Sequence, residues 1–200
     1  MIGDAWLAGQ FARPSGMLGR LLITPLLNRV GRRLNVMAMD LLEVQPGEAV
    51  LEIGYGGGGL LRRLAKARLG RLVGVDVSTA LPGRIAGAEL VRSEASALPF
   101  PDASFDGVVT VSVLHFWHEL DSPLREIARV LRPGGRLVLV FEPPEALQRW
   151  SGHRFGFELW SEAAVICAAA EVGFVLDERR EGQGRMPDWF VGLRLRMAIP

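Results

Sequence analysis

Cysteine is almost absent: Cys167 is the one example in 200 residues. An internal disulfide and a cysteine metal cluster are therefore excluded, and a reducing, cytoplasmic setting is the natural reading. Charge of one sign is also lacking. Lys and Arg number 23, Asp and Glu 22, and the formal net charge is +1. Such a balance leaves no broad basic face, so a nucleic-acid partner is not expected. No apolar run approaches the ~18 residues that a spanning helix needs. Residues 1–15 hold Asp4 and Arg13 but no charged segment ahead of an apolar stretch, so neither a signal peptide nor stable membrane insertion is expected. Histidines are few, and His115, His118 and His153 lack paired ligand spacing, so no metal site is expected. What the chain has in quantity is apolar residues, 49% of the total. That is enough for one sizeable core and too much for a disordered chain.

Residues 1–45 read as an N-terminal helical cap and residues 46–200 as one α/β domain. In the cap, Leu18, Leu21 and Leu22 share a helical face and Pro25 breaks the pattern, while Arg13, Arg20, Arg29, Arg32 and Arg33 either stand on solvated positions or make a basic amphipathic arm for a membrane surface. Asn35 to Val44 is one more helix, stopped by Pro46-Gly47. Strands and helices then alternate. Strands are expected at Ala49–Ile53, Arg71–Val75, Ala88–Val91, Gly107–Val113 and Arg136–Phe141, with helices at Leu60–Leu69 and from a Ser122 cap with Pro123 at the first helical position. Arg132-Pro133-Gly134-Gly135 ends that second helix. Ser161–Val172 is a helix closed by Gly173, and Phe174–Arg179 with Phe190–Met197 form an antiparallel pair. This alternation predicts a doubly wound, mostly parallel, seven-stranded sheet. Ligands of such sheets bind beyond the carboxyl ends of the strands.

Gly54-Tyr55-Gly56-Gly57-Gly58-Gly59 follows the first strand there. Glycines permit a tight turn and let backbone N–H groups approach a ligand. The loop alone does not identify that ligand. Gly54, Gly56 and Gly59 fit the G-x-G-x-x-G dinucleotide fingerprint, and Asp76 suits any ligand with ribose hydroxyls. Glu52 tilts the balance, because a carboxylate beside a pyrophosphate is repelled, whereas a cationic sulfonium ligand with an α-amino group is attracted. A nicotinamide-dependent oxidoreductase would also leave Glu94 without a role, and the single tyrosine, Tyr55, belongs to no Tyr-x-x-x-Lys pair.

Val50-Leu51-Glu52-Ile53-Gly54-Tyr55-Gly56-Gly57-Gly58 resembles motif I of the class I S-adenosylmethionine-dependent methyltransferases. Gly74-Val75-Asp76-Val77-Ser78 is similar to that family's second-strand end, whose acid holds the ribose hydroxyls. Glu94-Ala95-Ser96-Ala97-Leu98-Pro99-Phe100 with Ser104-Phe105-Asp106 resembles its D-A-x-x-L-P-F … F-D signature, with Glu94 in place of the usual Asp. Arg129 to Leu137 is similar to the hairpin before strand five. The resemblance runs from about Leu41 to Gly173 and is nearest to the type-11, ubiquinone/menaquinone-type subgroup. It implies a Rossmann-like methyltransferase fold and S-adenosylmethionine as cofactor. The residues it implies as binding that cofactor are Glu52, Gly54, Tyr55, Gly56, Gly58, Asp76, Val77, Glu94, Ala95 and Val113.

Methyl transfer from an activated donor needs alignment first, and a base only where the nucleophile must lose a proton. His115, after the fourth strand, is the candidate base or cofactor-edge contact; packing in the loop is its alternative. Trp117 is a candidate pocket wall, and His118, near Glu119 and Asp121, a solvated residue. Glu142 to Trp160 carries Trp150, Phe155, Phe157 and Trp160 with His153 and Arg154, the makings of a lid over a small, apolar or planar organic acceptor. The same aromatics could instead seal the sheet edge. A binding module without turnover stays open as an alternative. Cys167 is expected to be buried on an alanine-rich helix face.

Overall fold

The computed structural model describes residues 9, 31–78, 84–184 and 188–199. Leu18, Leu21, Leu22, Pro25, Arg13, Arg20, Arg29 and Pro187, and with them most of the expected cap, lie outside those residues. The described elements run α1 (Arg32–Leu42), β1 (Ala49–Ile53), α2 (Leu61–Leu64), β2 (Arg71–Asp76), β3 (Glu89–Arg92), β4 (Phe105–Val111), α3 (Asp121–Val130), β5 (Leu131–Phe141), α4 (Pro144–Leu147), α5 (Glu162–Glu171), β6 (Phe174–Gln183) and β7 (Trp189–Met197). One seven-stranded sheet has the order β3-β2-β1-β4-β5-β7-β6. Every neighbouring pair from β3 to β5 is parallel; β7 runs antiparallel to both β5 and β6. The strand order reverses at β1, so the carboxyl ends of β1 and β4 flank the switch point of the sheet.

Period-two alternation sends the strand side chains to two faces. Leu51, Ile53, Leu137, Leu139, Val191, Leu193 and Leu195 pack with Leu124, Ile127 and Val130 of α3 and with Val165 and Ala169 of α5. Val50, Val138, Val140 and Phe190 pack on the other face with Leu34, Ala38, Leu41 and Leu42 of α1 and with Leu60, Leu61 and Leu64. Helix α1 approaches so closely that a β-carbon at Gly192 would meet Met37 Sδ at 2.5 Å and Leu41 Cδ1 at 2.6 Å. Its last carbonyls are satisfied across the sheet. Arg136 Nε donates to Leu42 O at 2.9 Å, and Arg194 Nη1 donates to Leu41 O at 3.3 Å. Glu43 then leaves the helix in the left-handed conformation, φ 47°.

Several sequence expectations need correction. The helix expected over Leu60–Leu69 is four residues long, because Lys66 and Ala67 turn back to carbonyls three residues away and tighten its end into turns. Ser122 is no cap. Helix α3 starts at Asp121, and the Ser122 hydroxyl donates to Glu119 Oε1 at 2.5 Å. Strand β4 stops at Val111, since Ser112 takes φ +54°. The Arg132–Gly135 stretch continues into β5 as an irregular lead-in, with Gly134 at φ +75° and a register shift opposite Phe105–Gly107. Cys167 is exposed. Helix α5 buries Val165 and Ala169 four residues apart, and a residue two on from Val165 falls on the opposite side. The Ser161 cap holds, its Oγ accepting Ala164 N–H at 3.2 Å, and Gly173 ends the helix at φ +93°.

Candidate active site

Strand β1 ends in Glu52 and Ile53, and the chain then bends through the glycines. Gly54 has φ +75°, Gly56 +46° and Gly58 +71°, values that favour residues without a β-carbon. A β-carbon on Gly54 would also collide with the Val113 methyl groups, and one on Gly58 with Ile85. The loop after β1 therefore lies directly against the loop after β4, as adjacent parallel strands require.

Three polar residues converge under this loop. Glu52 is buried, and its Oε2 has no hydrogen-bond partner. Burial, then the charge of Asp76, pushes its carboxyl well above the ordinary range, against the pull of the Leu61 backbone N–H. Asp76 Oδ2 accepts Gly56 N–H at 3.0 Å, and Oδ1 accepts Ser78 N–H at 2.9 Å. Its carboxyl is raised by burial, opposed by these backbone donors and that of Val77. Tyr55, also buried, has its phenol raised by burial and by the charges of Asp76 and Glu52. Each Asp76 oxygen keeps a lone pair for a hydroxyl donor. The orphaned Glu52 oxygen asks for a cation or a strong donor. This pair fits the amino and ribose ends of an S-adenosylmethionine-like ligand.

The remaining expected contacts spread outward. Val77 O accepts a long bond from Arg92 Nε at 3.4 Å. Glu94 is exposed, and Ala95 packs partly against the core. Their loop is braced from behind. Arg129 donates to Leu98 O at 3.0 Å, Phe100 O at 2.7 Å and Asp102 Oδ1 at 2.8 Å, while Glu126 Oε2 accepts Leu98 N–H at 2.8 Å.

Beyond β4, His115 is buried and stacked on Phe157, with ring centroids 4.6 Å apart and planes 7° apart. Phe116 meets both rings edge-on, and Trp150 meets Phe157 the same way at 5.5 Å. Trp160 belongs instead to the core, its Nε1 donating to Trp117 O at 3.1 Å, and Trp117 is buried there as well. The aromatics thus divide: Trp160 packs on the core, while Phe157 stacks on the histidine and Trp150 meets Phe157. Phe155 is exposed, and His153 Nδ1 lies 2.6 Å from Trp150 O. His118 is exposed as expected, but its ring faces Glu158 at 3.2 Å rather than the acids beside it in sequence. Burial pushes the His115 imidazole down to about 3.

Two site residues, Ser112 and Glu142, were not foreseen. Glu142, the first residue after β5, is buried, accepts the Ser112 hydroxyl at 2.7 Å, and has its carboxyl raised by burial against that bond. The strand-end rule that singles out Glu52 would have singled out Glu142 as well.

Among the described residues no group of His, Cys, Asp and Glu could hold a metal ion. Nor is any described helix long and apolar enough to cross a membrane.

The sequence profile described as "Methyltransferase domain" matches residues 51–139. Over those residues the chain is similar to the type-11 group of the class I S-adenosylmethionine-dependent methyltransferases, and its fold and the acids under the glycine loop agree with that likeness. Similar proteins include a fatty-acid O-methyltransferase of Mycolicibacterium smegmatis, 42% identical over 96 residues, or 44% of this chain and 35% of that one. Another is the ubiquinone/menaquinone biosynthesis C-methyltransferase UbiE of Hahella chejuensis, 35% identical over 131 residues, or 59% of this chain and 51% of that one. The chain thus spans between about a third and half of the length of these two relatives. Among solved structures, one described as a complex between the Haloferax volcanii Trm112 methyltransferase activator and the putative methyltransferase shares the fold. Its TM-score is 0.77 at 20% identity, covering 98% of this chain and 97% of that one. S-adenosylmethionine is the cofactor of this class.

Proposed function

We propose that the protein transfers a methyl group from S-adenosylmethionine to a small, apolar or planar organic acceptor. The observation that carries the reading is the buried, unpartnered Glu52 oxygen beside Asp76 at the carboxyl end of β1. Glu52 with Gly54, Tyr55, Gly56, Gly58, Asp76, Val77, Glu94, Ala95 and Val113 would hold the cofactor, which supplies an activated methyl group when bound. Glu52 faces its cationic end and Asp76 its ribose. The glycine loop brings backbone N–H groups close. Alignment of this kind supplies up to ~7–11 kcal/mol of barrier lowering. The face formed by Phe116, Phe157 and Trp150 supports an apolar acceptor. Two relatives are named a fatty-acid O-methyltransferase and a ubiquinone/menaquinone biosynthesis C-methyltransferase, names in keeping with an organic acceptor. The lone cysteine suits a cytoplasmic setting.

A second reading, a cofactor-binding module without turnover, is favoured by the weak basicity of His115. Incubation with methyl-labelled S-adenosylmethionine and a cell metabolite extract, followed by mass spectrometry, tests both. A labelled small molecule is expected. Tight S-adenosylhomocysteine binding with no labelled product would favour the module, and NAD binding without S-adenosylhomocysteine binding would overturn both.

A further inference from the structure

The strand ends hold a second acidic group that cofactor binding leaves unused. Glu142 Oε2 and His115 Nδ1 are both buried, both lack a hydrogen-bond partner, and lie 3.8 Å apart. That separation exceeds a hydrogen bond, so the two groups face each other with the bond unmade. The surroundings fix both groups. Ser112, held in the strained left-handed region at φ +54° with its N–H on Val140 O at 2.8 Å, turns its hydroxyl onto Glu142 Oε1. Phe157 clamps the imidazole face-on, and Glu158 N–H holds the His115 carbonyl at 2.8 Å. The sheet order sets the pair beside the cofactor. The order β2-β1-β4-β5 puts Asp76, Glu52, Ser112 and Glu142 in one row along the carboxyl edge, with Gly54 touching Val113 in the middle.

We propose that His115 and Glu142 form a proton-accepting pair, positioned by Ser112, for an apolar acceptor that carries an un-ionised hydroxyl. The proposal rests on the methyl-transfer reading above. Its roles are distinct: His115 is the base, while Glu142 and Ser112 position it. The acceptor oxygen bonds the methyl carbon, the carbon–sulfur bonding pair stays with sulfur, and the O–H pair remains on oxygen as its proton passes to His115 Nε2. Glu142 accepts the Nδ1 proton in a hydrogen bond and stabilises the imidazolium. Alone, an imidazole buried this deeply is a poor base; the carboxylate at its far side makes it a competent one when the gap closes.

The same geometry excludes an ionised carboxylic acid. Such an acceptor needs no base and would be repelled by Glu142. Ionisation of Glu142 is set by burial, the Ser112 hydroxyl and its own backbone N–H, with no cation contributing. The rings packed against His115, those of Phe116 beside it in sequence and Phe157 from the segment after β5, are uncharged.

The test combines NMR of the imidazole nitrogens with kinetics, on protein saturated with S-adenosylhomocysteine. In the wild type we expect a neutral His115 ring with its proton on Nδ1. Glu142→Gln, whose amide donates toward Nδ1, should move that proton to Nε2 and leave the S-adenosylhomocysteine Kd within about twofold. With the labelled acceptor found in the extract, kcat should fall by roughly 10²–10⁴-fold with little change in KM. Glu142→Asp should restore the Nδ1 tautomer and part of the rate. An Nε2 proton in the wild type, an unchanged kcat in Glu142→Gln, or a methyl ester as the labelled product would overturn the pair. Failure of the wild type to bind S-adenosylhomocysteine would overturn the methyl-transfer reading instead.

Discussion

Asp76 joins cofactor loop and strand end through one carboxylate. Its oxygens accept from Gly56 and Ser78 while facing the ribose position proposed for it. Asp76→Ala should weaken S-adenosylhomocysteine binding by about 2–4 kcal/mol, the scale for losing charge-assisted hydrogen bonds. Calorimetry measures this, with Asp76→Asn keeping the loop bonds in part. Glu52 makes a prediction of different form. Its carboxyl titrates well above the ordinary range because it is buried and next to Asp76. A cationic α-amino group binds the ionised form. Affinity for S-adenosylhomocysteine should therefore rise as pH climbs through the raised Glu52 range and level off above it. Glu52→Gln should bind weakly with that rise removed. A wild-type affinity that falls over the same range would take Glu52 out of the cofactor site.

At the level of elements, the strands and their order along the chain were legible because a buried parallel sheet writes continuous apolar runs such as Ala49–Ile53 and Gly107–Val111. The cofactor-side candidates were legible for the same reason: they follow those runs at once. What stayed hidden depends on contacts far apart in sequence. The Ser112–Glu142 bond joins residues 30 apart, and no local pattern announces it. The exposed side of α5 was hidden because alanines line it all round, so periodicity cannot pick the buried stripe that Val165 and Ala169 define. The C-terminal closure of α1 was likewise illegible. It relies on Arg136 and on Arg194, which also meets Glu43, Asp177 and Glu178 at 3.0, 2.6 and 2.9 Å. The acids are partly exposed, so solvent screening discounts these pairs. Arg194→Ala should still cost about 1–3 kcal/mol, because the Leu41 carbonyl loses its donor and the stem leaves a gap against α1. Urea unfolding should show a lower midpoint. Gly192→Ala should weaken the same contact by forcing Met37 and Leu41 away.

At the scale of the whole molecule, the described arginines of the far sheet edge are paired locally rather than gathered into a free basic face. The far edge of the sheet looks basic in sequence, with Arg179, Arg180, Arg194 and Arg196. In the fold each is matched: Arg179 with Glu162 and Glu181, Arg180 with Glu178, Arg194 with Glu43, Asp177 and Glu178, and Arg196 with Asp177. Elsewhere Arg71 meets Glu89, Arg125 meets Asp121, Arg132 meets Asp106, Arg136 meets Glu48 and Arg149 meets Asp188. Nucleic-acid binding draws on free cationic side chains that neutralise phosphates and release their counterions into solution, and its affinity falls steeply with salt. Arginines already engaged with carboxylates have little to offer in that exchange. The rings of Phe116, Phe157 and Trp150, proposed to meet the acceptor, carry no charge and are equally indifferent to ionic strength. We therefore expect the rate of label transfer to the small acceptor to change less than about twofold between 50 and 500 mM salt, far below the roughly 10³–10⁵-fold loss of affinity that a protein with many phosphate contacts shows over a narrower range. Parallel incubations with total cellular RNA and with the metabolite extract, each across the salt series, check this directly. Label entering RNA, and lost steeply as salt rises, would overturn the small-molecule acceptor.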